Sequence, residues 1–293
     1  MQHHPTRLRT VARAGFESVA VESKRQMTFV VPVKKGSEIL QKNLLLSPCL
    51  RDPRHQLIVQ ENFPSAPRAY NDAIERSVND LIVFCHDDVF LPELWVSQLN
   101  HALDYLQAKD PHWGVLGCAG RTRDNLSWGH LYSSGLGVLG APFDQPQTVQ
   151  TLDEVVLIMR KSSGLRFDNN LSHFHLYGAD ICLQATKARM KNYAISAFCI
   201  HNTRQIIALP KEFYECCRYI KRVWKEDLPI QTTCIRITRF NLPLYLTRVR
   251  ELYERHRRGG NYGLPRSEDV YRIVAECDSD TAISIAKTSS ARN

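Results

Sequence analysis

An α/β domain with a mostly parallel central sheet flanked by helices is the fold class this sequence predicts, and three observations carry it. Between residues 28 and 85, apolar runs and helix-length stretches alternate as strand, helix, strand, helix, strand, an order that implies right-handed parallel crossovers. The run Leu81-Ile82-Val83-Phe84-Cys85 is apolar without alternation, as expected of a strand covered on both faces. With 293 residues, 43% of them hydrophobic, the chain can bury one large core with appendages.

Taken in order, Thr28 to Val33 reads as the first strand, followed by Lys34-Lys35-Gly36-Ser37 and a helix to about Leu45. His55 to Gln60 is the second strand and ends in Glu61-Asn62, polar side chains that suit a base or ribose, or equally a turn. Ala66 to Ser77 is a helix that feeds the strand at Leu81. A helix from about Glu93 to Ala108 leads to a fourth strand, Trp113 to Gly120, which runs into a glycine-bearing loop. Residues 121–150 read as an irregular insertion over the sheet edge. Glu154 to Arg160 is another buried strand, preceded by Asp153. A helix begins near Tyr177 with Asp180 in its first turn, where a carboxylate is either a helix-dipole partner or, if it faces a cleft, a general base. Tyr193 to Ile200 is the last core strand and ends in His201-Asn202.

The strand at 81–85 breaks into His86-Asp87-Asp88, placing ionisable groups at the carboxyl edge of the sheet, where open α/β folds bind ligands. A period of two turns His86 and Asp88 to one face and Asp87 to the other. A His-x-Asp pair on one face suits a single divalent ion. The same pattern, apolar strand and then His, recurs at His201, and two such ends side by side would complete a mixed Asp/His site.

Composition narrows the classes. A net charge of +8 favours anionic partners such as nucleotides or phospholipid head groups. Nine cysteines without a C-x-x-C pair argue against a zinc module and for a reducing cytosol. No apolar segment approaches the roughly 20 residues of a membrane span, and the N-terminus lacks a secretory signal core, so a cytoplasmic protein is expected. Nucleic acid is not an expected partner, because no recognition motif is present. On the segment Leu242 to Arg258, Leu242, Tyr245, Leu246, Val249, Leu252 and Tyr253 form one helical stripe amid arginines. It reads as a helix docked on the main domain, with peripheral contact at the inner face of a membrane as the alternative.

Several of these segments together resemble a known family. Ser65-Ala66-Pro67-Arg68-Ala69-Tyr70-Asn71-Asp72-Ala73-Ile74, Leu81 to Leu91 with His86-x-Asp88-Val89, Leu152-Asp153-Glu154, Phe174-His175-x-Tyr177-x-x-Asp180-Ile181-Cys182-Leu183, His201 and Trp224-Lys225-Glu226-Asp227-Leu228-Pro229 resemble the family 2-like glycosyltransferases of GT-A fold. The nearest likeness is to the bacterial branch that writes the Asp-x-Asp motif as His-x-Asp, and it covers about residues 27 to 230. It implies a Rossmann-like GT-A sheet and a nucleotide-diphosphate sugar donor of UDP, GDP or dTDP type. It also implies an Mn2+ or Mg2+ cofactor and inverting transfer to a hydroxyl of a glycan, lipid-linked or small-molecule acceptor. By the same resemblance Asp88 and His201 are metal ligands; Pro32, Glu61, Asn71, His86 and Asp87 bind the donor nucleotide; Asp180 is the base; and Asp153 contacts a sugar. His86 stands where the common motif has a carboxylate, and Gly178 where many relatives carry an acid, which leaves Asp180 alone as the base.

The expected organisation is a loosely ordered leader over 1–25, a catalytic domain over 26–210, a helical extension over 211–262 and a flexible tail over 263–293. A nucleotidyltransferase is the alternative enzyme, though Lys34-Lys35-Gly36-Ser37 is a faint triphosphate loop. A non-catalytic module binding nucleotide or nucleic acid on its basic face is the alternative outside enzymes.

Overall fold

In a computed structural model, which describes residues 25–277, the elements follow one another as β1 (Met27–Val33), α1 (Ile39–Lys42), β2 (Gln56–Glu61), α2 (Ala66–Arg76), β3 (Leu81–Cys85), β4 (Val89–Phe90) and α3 (Trp95–Lys109). The middle of the chain holds β5 (Leu116–Gly117), β6 (Ala119–Arg121), β7 (Ser127–Ser133), β8 (Gly137–Gly140), β9 (Gln147–Val149), β10 (Thr151–Leu152) and β11 (Val156–Arg160). Then come α4 (Tyr177–Lys187), β12 (Asn192–Ala194), β13 (Cys199–His201), α5 (Lys211–Val223), β14 (Ile230–Gln231), β15 (Arg236–Ile237) and α6 (Leu242–Arg257). The leader lies outside the described residues, as does the tail beyond 277.

The fold is mixed α/β, with a central seven-stranded sheet of order β2-β1-β3-β11-β5-β12-β9 flanked by helices. β1 pairs in parallel with β2 and β3, as the βαβαβ pattern requires. Strand alternation then sorts the core into two layers. Val30, Ile82, Phe84, Leu157 and Met159 face Tyr70 of α2, Tyr177 of α4 and Phe213 of α5. Phe29, Val31, Val83, Cys85 and Ile158 face Trp95, Leu99 and Leu106 of α3.

Several expectations need correction. β11 runs antiparallel to both β3 and β5, so the sheet is mixed at its centre. The strand expected over 113–120 divides: β5 stays in the central sheet, whereas β6 joins a second sheet of order β10-β6-β7-β13-β4. Glycine permits that switch, because a Cβ at Gly120 would stand 2.6 Å from the Thr151 carbonyl oxygen of β10. Residues 121–150 are not irregular but contain β7, β8 and β9. The strand expected over 193–200 divides in the same manner into β12 and β13, one in each sheet.

The C-terminal part differs most. α6 docks through Leu244, which is buried, and Glu251, which accepts hydrogen bonds from the Tyr214 hydroxyl (2.6 Å) and the Leu209 amide (3.2 Å). Arg248 between them lies over the Tyr214 ring. Positions 244, 248 and 251 form one helical row, so the expected apolar stripe faces outward instead, with Tyr245 64% and Leu246 56% exposed. Residues 263–277, expected in the flexible tail, are seated against the second sheet: Val270, Ile273 and Cys277 are buried with Phe90 and Ile200. The apolar face of a helix over 270–277 supplies this packing, and composition alone hid it among polar neighbours.

Candidate active site

Two strand ends in the second sheet build the site. β13 pairs antiparallel with β4 in a register that sets His201 opposite Val89 and Ile200 opposite Phe90. The Asn202 amide donates to the Asp88 carbonyl oxygen at 2.9 Å, which closes the pairing beside the His86-Asp87-Asp88 turn. His86, Asp88 and His201 thereby offer two ring nitrogens and a carboxylate oxygen, all within 4.8 Å of one another. The imidazoles meet edge to face at 5.4 Å.

His201 Nε2 lies 3.3 Å from Asp88 Oδ1, near enough for charge attraction but without hydrogen-bonding geometry. Among the described residues Oδ1 is therefore a buried carboxylate oxygen met by no donor in hydrogen-bonding geometry, a group whose desolvation is costly unless a cation meets it. Two imidazole nitrogens with one carboxylate oxygen suit a divalent transition ion better than Mg2+, which prefers oxygen ligands. The residues present fit the implied metal.

Electrostatics agree with the geometry. Burial by itself would raise the Asp88 carboxyl, but the attraction of His201, His86 and Arg266 outweighs it and holds the group well below the usual range. Burial and the neighbouring His201 push the His86 imidazole down, favouring its neutral, ligating form. His201 resists its own burial because Asp88 stabilises its proton, and its pKa is raised. Residues 86–88 form a turn between β3 and β4 rather than the strand continuation expected, and Asp87 lies outside the cluster; burial and the Asp88 charge raise it to about 6. Its Oδ2 meets the Ser37 hydroxyl at 3.5 Å, joining the loop after β1 to the end of β3.

The remaining candidates scatter. Pro32, half-buried at the end of β1, and Glu61, exposed at the end of β2, flank the same sheet edge. Asn71 sits on α2 and exchanges hydrogen bonds with the Phe167 backbone, at 2.8 Å to its carbonyl and 3.0 Å from its amide. That brings it to the loop after β11 rather than to Pro32 and Glu61. Asp153 accepts from the Thr233 hydroxyl at 2.5 Å and from the Val155 amide at 3.1 Å. Asp180 is buried and committed: Oδ1 accepts from Trp224 Nε1 at 2.7 Å and Oδ2 from Gln184 Nε2 at 2.6 Å. Burial raises its pKa, these donors opposing. It lines a cavity of about 740 Å3 with Arg166, Asn169 and Lys187.

Three side chains enter that sequence reasoning missed. Tyr177 opens α4 after Leu176, whose φ of +61° is a strained left-handed turn for a branched residue. Its hydroxyl bonds His86 Nε2 at 2.9 Å and the Glu154 carbonyl oxygen at 3.2 Å. Glu154 Oε1 accepts from the Gly178 amide at 3.3 Å, and a Cβ on Gly178 would stand 3.0 Å from Glu154 Cγ. The glutamate thus occupies the space that a side chain at 178 would need, and its signals in the sequence were the Leu152-Asp153-Glu154 segment and the missing side chain at Gly178. Burial and then Asp153 push its carboxyl up to about 8. Arg266, the third, donates to Asp88 Oδ2 at 2.9 Å.

No protein-family model matches the chain. A curated protein of Fuscovulum blasticum, described as ATP synthase subunits region ORF 6, is 32% identical over 146 residues, 47% of this chain. The chain spans 57% of that protein's length. Among solved structures it is similar to S. aureus TarS 1–349 in complex with UDP-GlcNAc, at 13% identity over 67% of this chain and 66% of that one, with a TM-score of 0.41. It is also similar to the mannosyltransferase PcManGT from Pyrobaculum calidifontis in complex with GDP-Man and Mn2+, at 13% identity over 89% and 81%, with a TM-score of 0.41. The functional reading rests on the chain's own residues.

Proposed function

We propose that the protein is a metal-dependent, inverting glycosyltransferase that moves a sugar from a nucleotide-diphosphate donor to an acceptor hydroxyl. The observation that supports this most is the convergence of His86, Asp88 and His201 at paired strand ends, with a buried carboxylate oxygen that no donor among the described residues satisfies. Asp88, His201 and His86 would hold Mn2+ or Mg2+ there. Such an ion, when bound, neutralises the charge that develops on a departing nucleoside diphosphate. Pro32, Glu61 and Asp87, at the ends of β1, β2 and β3, are the proposed nucleoside contacts; Asn71, fixed to the Phe167 loop, is the weaker member of that set.

Glu154 is the proposed acceptor base. Its carboxyl accepts from the Gly178 amide in the first turn of α4, while its backbone carbonyl accepts from the Tyr177 hydroxyl that also meets His86; its raised pKa suits proton transfer near neutrality. Asp153, beside it, is the proposed sugar contact. Asp180 remains the alternative base; its bonds to Trp224 and Gln184 favour a role in anchoring α4.

For α6 we propose contact with an anionic membrane surface. Leu242, Tyr245, Leu246, Val249 and Tyr253 are exposed along it, and Arg250, Arg255, Arg257 and Arg258 supply charge complementary to acidic lipid. A lipid-linked acceptor would fit such a surface.

A turnover assay tests the reaction. UDP-, GDP- and dTDP-sugars with Mn2+ are offered to the wild type and to Asp88→Asn, and release of nucleoside diphosphate is followed. Release from one donor, lost in the variant, supports transfer. Release of pyrophosphate from a nucleoside triphosphate and a sugar phosphate, with none from any sugar donor, would replace it with nucleotidyl transfer.

A further inference from the structure

Arg266 lies beyond every segment that suggested the site, yet its guanidinium is built into it. Besides the 2.9 Å contact to Asp88 Oδ2, its Nε donates to the Asn202 carbonyl oxygen at 3.1 Å. The segment that carries it is pinned on both sides. Before it, Gln205 exchanges backbone bonds with Leu264 (3.1 Å) and Gly263 (3.0 Å), and Tyr262 bridges Ile206. After it, the Asn202 side chain accepts from the Ser267 amide and donates to the Ser267 carbonyl, both at 2.9 Å, while its amide also reaches Asn43 Oδ1 at 2.9 Å. Val270, Ile273 and Cys277 then enter the apolar cluster under Phe90 and Ile200. The residue that follows His201 therefore latches the strap that presents Arg266.

We infer that Arg266 is a diphosphate-binding residue of this site, held ready against Asp88 by the strap 262–277; the diphosphate as its ligand rests on the glycosyl-transfer reading. The Asp88 carboxylate is divided between its two oxygens. Oδ1 faces the imidazoles and Oδ2 faces Arg266. Asp88 touches both positions, and its one charge does not offset a divalent ion and a guanidinium together, so an anion bridging the two is favoured there. A diphosphate has the charge and the spread of oxygens to do so, and the planar guanidinium fork matches it better than an ammonium would. The side chain is 33% exposed and can turn from Asp88 to an incoming ligand.

It follows that Arg266 opposes a cation binding alone and favours the cation and anion together, a coupling of the size usual between sites, about 5- to 150-fold. The test titrates Mn2+, by the electron paramagnetic signal of the free ion, into wild type, Arg266→Ala and Arg266→Lys, each with and without inorganic pyrophosphate. Circular dichroism checks that the strap variants are folded. Arg266→Ala is expected to bind Mn2+ alone at least as tightly as wild type, and to lose about fivefold or more of the tightening that pyrophosphate confers; Arg266→Lys falls between. Equal tightening by pyrophosphate in all three proteins would overturn the inference. Tightening by pyrophosphate but by none of UDP, GDP or dTDP would sustain Arg266 as an anion ligand while removing the nucleotide-sugar reading.

Discussion

Arg266 and Asp88 are separated by 178 positions in the chain and by 2.9 Å in the fold. Asp88 Oδ2 is thus occupied by a guanidinium while Oδ1, between two imidazoles, has no donor among the described residues. A single carboxylate organises both the proposed metal position and the proposed anion position. The predictions below follow from that division and from the carboxylates around it.

Glu154→Gln is expected to lower turnover by about 10²- to 10⁴-fold, the usual contribution of a positioned base. Because the Glu154 carboxyl is raised to about 8, wild-type turnover should climb with pH through that value, and the variant should lose this limb. The stability sign is opposite. The folded state keeps a proton that the unfolded state releases near 4.5, so Glu154 costs stability as pH rises from 4.5 to about 8. Thermal melts from pH 5 to 9 should show the variant gaining on the wild type across that window.

Asp180→Ala should act on stability. It leaves the buried Trp224 indole N–H without its acceptor, a loss of about 1–3 kcal/mol. A lower urea midpoint at unchanged slope is the expected result. Asp180→Asn, which can keep the indole bond, should retain turnover within about tenfold; a loss as deep as that of Glu154→Gln would return the base assignment to Asp180.

Leu246→Asp with Val249→Asp places acids on the outward stripe of α6, where neither side chain is buried. The fold should tolerate both changes within about 0.5 kcal/mol each. Cosedimentation with vesicles containing phosphatidylglycerol should fall in the double variant and, in the wild type, with added salt. Equal binding to phosphatidylcholine vesicles, or no effect of the two acids, would argue for another occupant of that face.

The sequence disclosed what depends on local pattern. Leu81 to Cys85 is a buried strand because no residue in it is polar, and the break at His86 marked the sheet edge. His201 was found by the same rule. Register did the rest: β13 pairs with β4, an arrangement no spacing announces, and it is this ladder that brings His201 to Asp88. The antiparallel insertion of β11 was hidden because an apolar run does not reveal its direction. Arg266 was illegible because its neighbours, Gly263 to Asp269, read as a loop by composition, and it is long-range contacts, from Gln205 on one side and Asn202 on the other, that give that loop a fixed place. Asp180 was ambiguous for the opposite reason. A first-turn carboxylate announces either a base or an anchor, and the indole that settles its partner lies 44 residues away.

The most direct measurement is calorimetric titration of UDP, GDP and dTDP, each with and without Mn2+, into the wild type and Asp88→Ala. The account predicts that one nucleotide binds, that binding requires Mn2+, and that Asp88→Ala abolishes it. Failure of all three to bind with Mn2+ present, or binding that Asp88→Ala leaves intact, would contradict it.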